Sequence, residues 1–213
     1  MKGKGILFLF MFIALTVLLV GSAARSEDVA TLNAMIKTMG GNWVAGETSM
    51  SRLSPDQQTR RLGLLRHTSS PGGKVLAAPQ GLTAVPTSLD WRNNGGNYVT
   101  RVKDQGNCGS CWAFSATGTA ESAILIARGT PNVDLDLSEQ VMLSCSGAGS
   151  CLGGYINTAS NYLRDTGLPL ESCYGYTGMD GVCAYACANW QATAYKIQDW
   201  SWVVPYSTTP RQM

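Results

Sequence analysis

The chain has 213 residues, 16 Lys+Arg against 14 Asp+Glu, and a single histidine, His67. That length suits one domain of middling size with appendages. The mild charge, with no basic run interleaved with aromatics, gives no footing for nucleic acid. All seven cysteines lie between Cys108 and Cys187, and an odd count in an exported chain leaves one thiol unpaired.

Lys2 and Lys4 precede an apolar run from Ile6 to Val20, then Gly21-Ser22-Ala23-Ala24. This reads as a secretory signal over 1–24, cut after Ala24 and short for a membrane span. Export places the cysteines where disulfides persist. Residues 27–39 follow helical spacing through Val29, Leu32, Met35, Ile36 and Met39, closed by Gly40-Gly41. Ser54-Pro55-Asp56-Gln57 is a capping box with proline at the first helical position. The helix it opens is expected to carry Leu62, Leu64 and Leu65 and to fade near His67. Residues 68–86, rich in proline and glycine, read as an exposed linker. Two short helices bury too little to fold strongly alone and need a surface to lean on. The segment 25–86 carries seven basic and four acidic residues, against seven and ten in 87–213. Opposite signs favour docking of the two parts, weakly and in a salt-dependent way.

From Pro86 the chain opens a second part, polar and turn-rich over 93–105. A long helical pattern follows over 111–128, through Trp112, Ala113, Phe114, Ala116, Ala120, Ile124 and Ala127, and stops at Arg128-Gly129-Thr130-Pro131. Leu137-Ser138-Glu139-Gln140-Val141 reads as a cap and a short helix. The loop from Cys145 to Gly154 is glycine-rich, a third helix spans about 155–165, and 173–187 reads as a stapled loop. Trp200, Trp202 and Val204 alternate with Ser201 and Val203 as in a strand. Thr209-Pro210-Arg211-Gln212 repeats the pattern that opens a helix, so the C-terminus reads as cut.

Cys111 sits where a glycine-broken loop meets the long helix. A first-turn thiol feels the positive end of the helix dipole, a field that favours the nucleophilic thiolate. Gln105 with Cys108-Gly109-Ser110-Cys111-Trp112 and Ala113-Phe114-Ser115 resembles the active-site stretch of papain-like cysteine proteases. The resemblance implies an α+β two-domain fold, of which mainly the helical part is present here. It implies that Cys111 is the nucleophile and that Gln105 donates its amide to the oxyanion formed in acyl transfer. The backbone N–H of Cys111 is a second donor, because first-turn N–H groups have no intrahelical acceptor. Gly109, Trp112, Gly153, Gly154 and Tyr155 match the substrate-binding positions. Glycines at 153 and 154 let an extended peptide bond main chain to main chain, and Tyr155 would wall the adjoining pocket. The family suggests disulfides Cys108–Cys151 and Cys145–Cys183, leaving Cys173 and Cys187 as a pair by elimination. Residues 25–86, with Trp43-Val44-Ala45-Gly46, are similar to the short inhibitory propeptide of cathepsin B-like enzymes. The peptidase part is then 87–213.

A papain-like site also needs a histidine base and an orienting asparagine, roughly 130–150 residues after the nucleophile. The chain ends at Met213, short of that span, and its sole histidine, His67, reads as a solvated residue of the proregion. The function implied is a secreted thiol endopeptidase made as a zymogen, without cofactor or metal, with peptide substrates and its own propeptide as partners; this polypeptide alone would be inactive. Two other readings stay open: a Cys-x-x-Cys disulfide oxidoreductase, which pairs Cys108 with Cys111, and a non-catalytic binding or inhibitor module.

Overall fold

The computed structural model describes residues 29–67, 73–75 and 86–202. The stretch expected to be a secretory signal, most of the expected linker, and the strand and cap patterns beyond Trp202 lie outside those residues. The chain divides into two compact units, meeting between Ser54 and Pro55.

Among its described residues the first unit has one helix, α1, over 29–38. Its end is closed where the amide of Gly41 reaches Ile36 O (2.9 Å) and Gly40 takes φ +73°. The following loop folds back through Asn33, whose side chain bonds both the N–H (2.7 Å) and the C=O (3.0 Å) of Ala45. Thr48 and Ser51 then cap each other's backbone amides.

The second unit is α+β and dominated by helices. It holds α2 (Pro55–Arg60), α3 (Cys111–Arg128), α4 (Glu139–Cys145), a short antiparallel ladder of β1 (Gly149–Ser150) and β2 (Gly153–Gly154), and α5 (Ile156–Asp165). α3 is the central member, packed by α4 and α5. Its inward positions alternate bulk with small residues: Trp112, Ala113, Ala116, Ala120, Ile124 and Leu125 are buried. Alanine there lets the neighbouring helices approach closely. The helix stops at Gly129, left-handed at φ +61°, with its N–H on Ile126 O and Thr130 N–H on Leu125 O. α4 begins because the Ser138 hydroxyl accepts the Val141 N–H at 3.0 Å. Leu137, Val141, Met142 and Leu168 close the core at 0 % exposure. Each such side chain contributes about 1.5–3 kcal/mol by leaving water.

One expectation changes here. The helix opened by the Ser54–Gln57 box ends at Arg60 instead of continuing through Leu65. Gly63 breaks it, and the main chain beyond pairs sideways: Leu64 bridges Gly154 in parallel. Of the strand pattern at 200–204, the described residue Trp202 bridges Val75 in parallel.

Three disulfides staple the second unit: Cys108–Cys151, Cys145–Cys183 and Cys173–Cys187. Cys111 is the free thiol.

Candidate active site

Cys111 is the first residue of α3 and is half-buried. The loop before it is fixed from two sides. Cys108 is bridged to Cys151, and the Gly109 N–H donates to Cys151 O at 2.8 Å. Ser110 leaves its own helix uncapped; its buried hydroxyl instead meets the Tyr176 hydroxyl at 2.6 Å. Tyr176 OH also donates to Gln105 O at 2.8 Å, and its ring packs edge-on against Phe114. One phenol therefore ties the segment carrying Gln105 to the residue before Cys111. Sequence reasoning missed it, because a tyrosine 71 positions after Gln105 has no local signature.

The main chain of residues 61–65 lies across this loop. Gly63 N–H points at Cys111 Sγ, 3.2 Å away. The Gln105 side-chain amide donates to Arg61 O and to Cys108 O, both at 2.8 Å. Beyond the thiol, Gly154 N–H donates to Gly63 O (2.8 Å) and Leu65 N–H to Gly154 O (2.9 Å). The fit needs glycine on both surfaces. A Cβ on Gly63 would lie 1.7 Å from Gly109 O, and one on Gly109 would lie 3.1 Å from Leu62 O of the segment, besides meeting Cys151 O at 2.6 Å. The Leu65 side chain sits over Gly153, where a built Cβ would meet it at 2.9 Å.

Gly153, Gly154 and Gly109 thus line the surface on which this extended segment lies. Trp112 does not. It was expected at the substrate surface, but it is 1 % exposed and its ring lies directly beneath Gly154. Its Nε1 donates to Ser150 O at 3.2 Å, so it can act only by supporting the β1–β2 ladder. Tyr155 caps α5 and stacks on His67, ring centroids 4.2 Å apart. His67 Nε2 also lies 2.8 Å from Asn157 Oδ1. His67 is therefore not the solvated residue the sequence suggested: a flat ring on Tyr155 and a polar partner on α5 hold it.

Two positions before Gln105, Lys103 centres a buried ion cluster, also missed from sequence. Lys103 Nζ is 3.1 Å from Glu121 Oε1 on α3, 2.7 Å from Glu139 Oε1 on α4 and 2.7 Å from Asp136 Oδ1. Glu121 further accepts from Leu137 N–H (2.8 Å) and Thr100 Oγ1 (2.5 Å). Arg101 pairs with Asp134 and Asp136 at the rim. Burial works against the Lys103 charge, but the hydrogen bonds to Asp136 and Glu139 outweigh it and raise its pKa. Burial pushes the Glu139 carboxyl up to about 7, against the pull of Lys103.

That shift has a sign. Glu139 in the folded chain holds its proton above the ordinary 4.5, so its contribution to stability is full below about 4.5 and is lost as pH rises through about 7. The chain should accordingly be more stable to guanidinium at pH 5 than at pH 8, and Glu139→Gln should flatten that slope. An unchanged slope in the Glu139→Gln chain would remove Glu139 as its source. Among the described residues, no group of three or more His, Cys, Asp and Glu side chains is placed to hold a metal ion.

The geometry offers a free thiol at a helix start, an amide donor beside it and a glycine ladder on one side. Residues 85–211 match the family model described as papain family cysteine protease. The sequence is 49 % identical over 105 residues to a cathepsin L-like proteinase of Fasciola hepatica, covering 48 % of this chain and 31 % of that protein. It is 38 % identical over 141 residues to human cathepsin L2, covering 64 % and 40 %. Among solved structures, the digestive procathepsin L2 proteinase from Tenebrio molitor larval midgut superposes with a TM-score of 0.65 at 30 % identity, covering 76 % of this chain and 53 % of that one. The chain thus spans less than half the length of these two curated relatives.

Proposed function

The chain belongs to the papain family of cysteine proteases, and from that premise we propose that it is the proform of a secreted thiol endopeptidase with Cys111 as nucleophile. Residues 1–24 direct export, 25–86 are the inhibitory propeptide with its linker, and 87–213 belong to the peptidase domain. The substrate is a peptide or protein, laid along Gly153–Gly154 with Tyr155 at the adjoining pocket. The stapled loop 173–187 carries no histidine, which favours cleavage within chains over trimming of their ends.

The observation that carries this reading is the segment 61–65. It occupies the cleft but presents Gly63 N–H, not a carbonyl carbon, to the sulfur. A thiolate cannot acylate itself on an N–H, so a strand laid this way blocks the site without being consumed. A carbonyl oxygen, that of Arg61, meanwhile takes the Gln105 N–H that Cys108 O leaves free.

In acyl transfer, Cys111 sulfur attacks the substrate carbonyl. The oxyanion is met by Gln105 Nε2 and by the Cys111 N–H, which has no acceptor within the helix. Expelling an amine then requires a proton donor, supplied in such sites by an imidazole. The only imidazole in these 213 residues is His67. It lies in the segment to be removed and is engaged by Tyr155 and Asn157. This polypeptide by itself is therefore expected to accept acyl groups but not to hydrolyse peptide bonds.

An activated ester separates the two halves of that statement, because a nitrophenolate leaves without a proton. In a chain opened by Gly63→Ala, an N-acyl amino acid p-nitrophenyl ester should release one equivalent of nitrophenolate and leave its acyl group on Cys111. Cys111→Ser should abolish the burst, and Gln105→Ala should slow it by about 100-fold. Sustained cleavage of a fluorogenic peptide amide, lost in Cys111→Ser, would contradict the inactivity. An acyl group found elsewhere would contradict the nucleophile.

A further inference from the structure

The segment lying in the cleft also carries a side-chain contact outside the acyl-transfer residues. Arg61 Nη1 is 3.0 Å from Asp104 Oδ1, with the arginine side chain 17 % exposed and the aspartate 77 % exposed. Asp104 is held for this contact: the same Oδ1 accepts the Gly106 N–H at 2.9 Å. That backbone bond first, and Arg61 with it, holds the Asp104 carboxyl below its ordinary pKa despite the small cost of burial. The neighbouring Lys103 does not neutralise it, because its ammonium is turned inward to Glu121, Glu139 and Asp136. Asp104 therefore presents its charge to whatever lies in the cleft.

The path of the segment says which side of the cleft this is. Leu65 pairs with Gly154, Gly63 sits at the sulfur, and Arg61 comes before it, on Gln105. Arg61 is thus on the far side of the thiol from the glycine ladder. If the ladder takes the acyl part of a substrate, as in the function proposed above on which this inference rests, Asp104 faces the leaving-group part. We propose that Asp104 is a specificity-determining residue that selects an arginine or lysine side chain on the leaving-group side, and that Arg61 occupies its place in the proform.

The test uses the full chain and reads the rate at which neutral iodoacetamide labels Cys111. Arg61→Glu and Asp104→Arg should each raise that rate about 5-fold, the scale of a rim ion pair. The charge-swapped double variant should return to within about 2-fold of the parent. Peptides carrying arginine, norleucine or glutamate on the leaving-group side are then added to the Gly63→Ala chain. The arginine peptide should protect Cys111 best, and its advantage should shrink in 0.5 M salt. Single variants without effect, a double variant whose effect is the product of the singles, or equal protection by norleucine would each overturn the proposal. A parent chain labelled as fast as Gly63→Ala, or an acyl group that misses Cys111 in the ester experiment, would instead overturn the underlying function.

Discussion

Replacing Gly63 by alanine is expected to raise the labelling rate of Cys111 by about 10- to 100-fold. The added Cβ would stand 1.7 Å from Gly109 O, 2.4 Å from its carbonyl carbon and 3.0 Å from its Cα. All three are backbone atoms of a loop pinned by the Cys108–Cys151 bridge, so they cannot swing aside as a flexible side chain would. The crossing segment must lift instead, and forcing one carbon into close-packed surroundings costs about 1–3 kcal/mol. Every 1.4 kcal/mol is tenfold in an equilibrium, hence the range. Lifting costs the Gly63 N–H its contact with sulfur and breaks the two main-chain bonds to Gly154. The fold of 87–202 should survive, since Gly63 contributes nothing to its core. Labelling at the parent rate would mean that Gly63 does not lie over Gly109.

Lys103→Met should destabilise the second unit by about 3–5 kcal/mol at pH 8, the cost of leaving buried carboxylates without their cation. Glu121 and Glu139 side chains are 1 % and 2 % exposed. Glu139 Oε2 already lacks a hydrogen-bonding partner, so the ammonium is what keeps the cluster in place. Adding Glu139→Gln to Lys103→Met should recover part of the loss by removing one of the stranded charges. Urea unfolding followed by tryptophan fluorescence reads both values. A loss below about 1 kcal/mol would mean that water reaches the cluster. Because Lys103 stands two positions before Gln105, the same variant should also loosen Gln105, the proposed oxyanion donor, and slow acylation of Cys111 by the nitrophenyl ester.

The helices of the second unit were legible in the sequence because their signals are local. Ser138 as a cap, Gly129 as a stop and the alanine spacing of α3 lie within a turn or two of what they govern. Helix α2 misled for the same reason. Leu62, Leu64 and Leu65 continue a helical pattern, but Gly63 and Leu65 find backbone partners at Gly154, some ninety positions away, and that pairing wins. Local spacing cannot report it. Trp112 misled differently: its place beside Cys111 in sequence suggested contact with substrate, whereas the first turn of α3 aims it inward beneath Gly154.

The site divides along the same line. Gln105, Cys111 and the two glycines at 153 and 154 were visible as short patterns. Tyr176, the Lys103–Glu121–Glu139 cluster and the Arg61–Asp104 pair were not, because each joins residues far apart through one or two polar atoms. His67 was misjudged for want of its partners: a lone histidine in a polar stretch gives no hint of Tyr155 and Asn157, some ninety positions away.

The most direct test of the whole account is where the free thiol lies and whether the chain itself covers it. The intact protein is treated with iodoacetamide, native and in guanidinium, and the label is mapped by mass after digestion without reduction. The account predicts one labelled cysteine, Cys111, slow in the native chain and fast in the unfolded one, with Cys108–Cys151, Cys145–Cys183 and Cys173–Cys187 intact. A label on another cysteine, Cys111 found in a disulfide, or equal rates in both states would contradict it.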